Sequence, residues 1–276
     1  MNAAANTKQH ASRKQGSPKG FWKPFLAFLS LGTLGVLALI PTSVTMIERL
    51  RETITEPLPP LPVLVVLSLL QSTVLLALAT TLGILIAPRL GLRSHILERL
   101  THASRNSRFR NELPLALTLG LAVGVLLIGF DAFLQPYLGE SASALAEAQP
   151  RTISLTLAGV LYGGLTEELL LRWGLMTLFA WLGTLVFGRL GARPRPMVMW
   201  LSILLTALLF GVLHLPTVAT ITPLTSLLVA RTVLLNAIGG VVFGWFYWQR
   251  SLEAGMVAHA TAHIGMSLTL LVTALL

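Results

Sequence analysis

The sequence predicts an all-α fold: a polytopic helical bundle of seven or eight transmembrane helices, with a candidate active site in a cavity between helices. Two observations carry this. First, of 276 residues, 54% are hydrophobic and 11% charged, against about 25% charged in soluble domains. Second, mostly apolar runs of about 18 residues or more recur along the chain, each long enough to cross a bilayer. Backbone hydrogen bonds in such runs must close within helices, because the apolar spacing is not that of a barrel.

The elements follow in order. Residues 1–20 are small and polar and read as a disordered cytosolic tail. A single transmembrane domain is expected over 21–276. The first span, 21–40, has no small-residue cleavage site before Glu48 and reads as retained, not as a signal peptide. A Pro-rich entry at 56–62 leads into a second span at 61–86. The basic connection 88–112 follows, and the helical apolar spacing of 91–100 suggests a helix lying on the membrane surface. A third span, 113–134, ends near Asp131, the only aspartate. Residues 152–189 are apolar for too long for one straight span at about 1.5 Å per residue. Two helices, or one broken near Trp173-Gly174, are expected there. Later spans fall at 197–213, 224–248 and 252–276.

All four lysines lie in the first 23 residues, and many arginines sit in short loops. The formal net charge of +9 is therefore read as orientation signal and contact with anionic lipid headgroups, not as nucleic-acid binding. A multi-pass integral membrane protein with a cytosolic N-terminus follows, in the plasma membrane if bacterial. The basic loop 189–196 fits the cytosolic side only if 152–188 crosses once; eight spans would place it outside. With no cysteine, disulfides, thiolate metal sites and a cysteine nucleophile are excluded.

Three charges stand inside the fourth apolar region: Glu167, Glu168 and Arg172. A charge at a membrane-helix centre costs about 2.5–3.5 kcal/mol on insertion scales, so intramembrane charges point to function. Glu168 and Arg172, four apart with the acid first, can share a face and pair. Glu167 is left without a local partner and could take a proton from water. His214 ends a helical run on the same face as Phe210, just before Pro216. His259 and His263, again four apart, project from one face among the small residues Ala258, Ala260 and Ala262. Their spacing matches helical zinc sites, but the glutamate that follows the first histidine in the zincin pattern is missing. Gly239, Gly240 and Gly244 read as close packing, and Trp245, Tyr247 and Trp248 as an interfacial belt. Arg231 reads as snorkelling to the interface, and Asn236 as a possible cavity residue.

Together, Glu167-Glu168-x-x-x-Arg172, Phe210-x-x-x-His214 and His259-x-x-x-His263 resemble the type II CAAX prenyl protease and bacteriocin-processing family of intramembrane peptidases. The resemblance covers about 152–270. It implies an endopeptidase acting on a membrane-associated peptide or lipidated protein, prenylated or bacteriocin-like. It implies Glu167 as the base that activates water, His214 as its helper, and Glu168 with Arg172 as a supporting pair. His259 and the residue four later would stabilise the oxyanion. That later position is often asparagine in the family and is His263 here. No cofactor is favoured, although zinc held by His214, His259, His263 and Glu167 is an alternative. The rival functions are a proton- or ion-coupled transporter and a non-catalytic immunity or scaffold protein of the same fold.

Overall fold

The computed structural model describes residues 19–54, 56–101, 109–148, 152–188 and 193–275. Most of the expected tail, with Arg105, Arg108, Arg151 and part of the 189–196 loop, lies outside the described residues. Residues 19 and 20 already belong to the first helix. The helices are α1 (Lys19–Ala38), α2 (Ile40–Thr53), α3 (Leu61–Leu90), α4 (His95–Leu100), α5 (Phe109–Leu138) and α6 (Glu140–Ala148). Then come α7 (Ile153–Phe187), α8 (Pro196–Leu213), α9 (Leu215–Ala219), α10 (Ser226–Gln249) and α11 (Leu252–Leu275). Among the described residues, seven helices are long and apolar enough to cross a membrane: α1, α3, α5, α7, α8 with α9, α10 and α11.

Local chemistry sets the ends. Proline stands in the first turn of α3 and of α8, where its missing N–H removes no helical bond. Thr152 and Thr225 cap α7 and α10, each hydroxyl accepting a backbone N–H three residues on at 3.2 Å. Gly91 stops α3 at φ +76°, a left-handed backbone that only glycine adopts without strain.

The 152–189 region corrects the sequence expectation. It is neither two helices nor one broken at Trp173-Gly174, but a single helix, α7, that crosses once. Its middle, Gly159–Met176, is π-helical. The Thr177 N–H, for instance, reaches the Arg172 carbonyl five residues back. A π turn holds more residues than an α turn, so 35 residues are accommodated without a break. Such turns are frequent at functional sites. Glu167, Glu168 and Arg172 all lie in this widened stretch.

One end of the bundle gathers the basic connections. The Leu252 N–H donates to the Arg93 carbonyl at 3.0 Å. Gly91 packs against the Arg193 side chain, and α1 touches α4. The expected surface helix is a second correction. α4 docks inward, with His95 and Leu97 buried and Leu92 buried beside it. Its anchor is Glu253, which accepts from the backbone N–H groups of His95 and Ile96, both at 2.9 Å, and from the Ser94 hydroxyl.

Above this end, Phe28, Leu76, Trp173, Met199, Ile203 and Tyr247 form a closed apolar core. α11 lies along α5 through small residues: Gly120 and Gly124 leave no room for a Cβ against Ala258 and Ala262 of α11. The small neighbours of the two histidines thus serve helix contact, as expected. Tyr247 is a further correction. It is fully buried and bonds Thr177 between hydroxyls at 2.7 Å, so it is core and not belt.

Candidate active site

The widened π segment turns Glu167 and Glu168 to different neighbours. Glu168 is completely buried and Arg172 is 1% exposed. Their charged atoms approach to 3.1 Å, Oε1 to Nη1. The guanidinium also donates from Nη2 to the Gly240 carbonyl at 3.1 Å, and its carbon lies 5.2 Å from the Phe210 ring centre and 5.6 Å from that of Phe243. Gly240 lets α10 close on α8, since a Cβ there would press on Ala207 at 2.9 Å. A buried ion pair gains stability only when its remaining valences are met. The carbonyl and the two aromatic faces meet part of that need here.

Glu168 also orients a histidine. Its Oε1 lies 2.8 Å from His259 Nδ1. A carboxylate only accepts, so Nδ1 carries the proton. His259 Nε2 then points at Glu167, 3.7 Å from Oε2. The ring is held flat between Phe243, stacked at 4.3 Å, and His263, stacked at 5.2 Å.

His214 arrives from the other side. Its Nδ1 donates to the Phe210 carbonyl at 2.8 Å, and Nε2 faces Glu167 Oε1 at 3.9 Å. Phe210 supports it edge-on at 4.8 Å. The helix ends at this residue, and Pro216 opens the short α9. The carboxylate of Glu167 thus lies between the Nε2 atoms of two imidazoles brought by separate helices, and both gaps exceed hydrogen-bond length. Among the described residues Glu167 makes no hydrogen bond.

These groups line a cavity of about 1150 Å³ whose walls include Leu75, Leu78, Tyr162, Leu213 and Asn236. The acidic motif and the two histidine motifs meet there: Glu167, His214, His259 and His263 line it, while Glu168 and Arg172 stand behind His259. Among the described residues no group of three or more His, Asp or Glu side chains converges tightly enough to hold a metal ion.

Sequence reasoning missed several contributors. Gly163 is one: a Cβ there would come within 2.7 Å of His263 Nε2 and 2.9 Å of His259 Nε2. The helical spacing Gly159-x-x-x-Gly163 beside the acids was the available signal. Phe243 is another, with only its position in an apolar run to mark it. Arg231 corrects the expectation of snorkelling. It binds Asp131 through Nε and Nη2 at 2.7 and 2.6 Å, and both residues line the cavity. An arginine inside a bundle finds its acid when the cavity walls bring one within reach. Asn236 lines the cavity, as its position suggested, and donates to the Thr232 carbonyl of its own helix at 2.8 Å.

Residues 149–265 match the family model of the type II CAAX prenyl endopeptidase Rce1-like proteins. Neither a curated protein nor a solved structure matches the chain. The matched region takes in the π-widened helix, His214 and the paired histidines of α11, so the part of this multi-pass membrane chain that carries the motifs is similar to the type II CAAX prenyl endopeptidase Rce1-like family.

Proposed function

We propose that this protein is an endopeptidase that hydrolyses a peptide bond of a membrane-associated substrate within the cavity, with Glu167 as general base. One observation carries the reading: Glu167 faces His214 Nε2 at 3.9 Å and His259 Nε2 at 3.7 Å, gaps too long for direct bonding and suited to a bridging water.

The water sits between the Glu167 carboxylate and the lone pair of His214 Nε2, and the Phe210 carbonyl fixes the tautomer that leaves that lone pair free. Glu167 takes one proton as the water oxygen attacks the scissile carbonyl carbon. The carbonyl π electrons move to oxygen. His259, with Nδ1–H on Glu168 and a second proton on Nε2, donates to that oxyanion, where a fixed donor is worth about 2.7–4 kcal/mol. His263 adds a donor from the same face. As the tetrahedral species collapses, the C–N bond breaks and Glu167 returns its proton to the leaving amine. Total charge in the pocket is unchanged throughout. Glu168 and Arg172 act through His259 by holding its ring.

The cavity supports hydrolysis over transport. Its lining runs from Thr42 and Ser154 at one end of the bundle down to Leu82, Leu178 and Phe243, with no residue of the basic connections among the described residues, and the core around Trp173 and Tyr247 packs beside its inner end. A relay needs a path through. No step is routed through zinc, since the imidazoles and Glu167 are not grouped as a metal set. Elemental analysis of mildly purified protein tests this, and stoichiometric Zn²⁺ would overturn it. The orientation expected from charge, N-terminus cytosolic, belongs to this proposal, as does the anionic-lipid contact of the basic end.

The test of the activity is cleavage of membrane-bound peptides, prenylated and not, by purified protein. Turnover should fall by about 10²-fold or more in Glu167→Gln and fall steeply in His214→Ala, with insertion intact. Normal cleavage by both variants ends the assignment.

A further inference from the structure

The cavity has a direction. Its lining includes Ala38, Thr42 and Met46 where α1 meets α2, Ala148, Thr152 and Ser154 where α6 meets α7, and Thr217 of α9. All of these stand at the end of the bundle away from Arg93, Arg193 and Leu252. No lining residue comes from 88–101, 193–200 or 249–255 among the described residues. The mouth and the basic end are therefore opposite.

The charges divide the same way. All four lysines and eleven of the sixteen arginines lie in the N-terminal segment, in 88–112, in 189–196 and at Arg250. The seven spanning helices alternate in direction, so the described parts of those segments stand at one end. Of the other five, Arg49, Arg51 and Arg151 fall in the sequence connections at the mouth end, while Arg172 and Arg231 lie within spans and are paired with Glu168 and Asp131. Two of these are tied to backbone carbonyls, Arg49 to Ala148 and Arg51 to Pro59. Glu48, Glu52, Glu56, Glu140 and Glu147 share the mouth end. Lysine and arginine in short connections stay in the cytosol, and acids count little. A bias this uneven fixes the basic end inside.

We propose that the mouth of the Glu167 cavity faces the non-cytosolic side, and that the peptide it takes is presented there. That peptide is an exported or outer-face membrane-anchored segment, not the cytosolic C-terminus of a prenylated protein. The idea rests on the peptidase reading for the word substrate, while the direction of the mouth stands on geometry and charge alone.

The absence of native cysteine makes the test direct. Single-cysteine variants Ser154→Cys at the rim and Asn236→Cys inside the cavity are compared with Thr101→Cys and Gln249→Cys at the basic end. A small membrane-impermeant thiol reagent is applied to intact bacterial spheroplasts expressing the full chain, before and after permeabilisation. The expected result is complete modification of the first pair before permeabilisation and of the second pair only after. The reverse order overturns the proposal. Protection of all four until permeabilisation also overturns it, because the mouth would then be closed to the outside. Cleavage in detergent, where both faces are open, reports the peptidase separately. A protein that cleaves in detergent but labels in the reverse order keeps the activity and loses the direction.

Discussion

Two polar clusters of similar composition sit at different depths of this bundle. At the basic end, Glu253, Glu112, His95, Ser94 and Ser251 are buried together. In the cavity, Glu167, Glu168, Arg172, His214 and His259 meet. The first cluster is saturated. Both oxygens of Glu253 accept hydrogen bonds. Glu112 accepts from the Ser251 hydroxyl and stands 3.2 Å from His95 Nε2. The second leaves Glu167 facing open space. Glutamate with histidine inside an apolar chain is therefore not enough to mark chemistry. A saturated carboxylate fastens helices; one held near bonding partners but short of them has room for a reactant.

The largest expected difference tests this contrast directly. Glu167→Gln should lower kcat by about 10²–10⁴-fold, the range for a lost general base, with an unchanged thermal melt. Glu253→Ala should do the opposite. Removing a charged acceptor from two backbone N–H groups and a hydroxyl should cost about 2–4 kcal/mol of stability, read by denaturation, while kcat per folded molecule stays close to that of the parent. If Glu253→Ala abolishes turnover without loss of stability, the two clusters are not distinct in kind.

Gly163→Ala sharpens the comparison from within the cavity. The added methyl must displace the rings of His263 and His259, so a loss of about tenfold or more in kcat is expected with the fold retained, about 1.4 kcal/mol or more in barrier. Equal activity would show that the ring positions are not critical. Phe243→Leu should have a smaller effect. It removes the stack on His259 and a face from Arg172, worth about 0.5–1.5 kcal/mol, seen as a modest fall in kcat. The smallest change is expected for Asp131→Asn, which weakens a partly exposed pair worth about 1 kcal/mol or less and should move KM more than kcat, as measured by steady-state kinetics.

Much of this site was legible in the sequence, because charge inside lipid has few bland explanations. Glu167, Glu168, Arg172, His214, His259 and His263 stood out by being polar where polarity is costly. What was not legible is of two kinds. Gly163 and Phe243 act by shape against another helix, and an apolar run looks the same whether or not a ring in it stacks on a histidine. Arg231 and Asp131 are 100 residues apart, so no local spacing could announce their pairing. The single crossing of α7 was hidden for another reason. Its apolar length suggested a break, and a hydropathy pattern does not reveal π turns.

By itself the sequence determined the class of the molecule, the apolar spans, the distribution of basic residues and the three motifs, since each depends on residue type and short-range spacing. The tertiary structure alone decided which acid is saturated and which is open, that α7 crosses once, and at which end the cavity opens. Those are relations between side chains far apart in the chain. Their energies come from packing and from which groups exclude or admit water, and neither quantity is carried by any one segment.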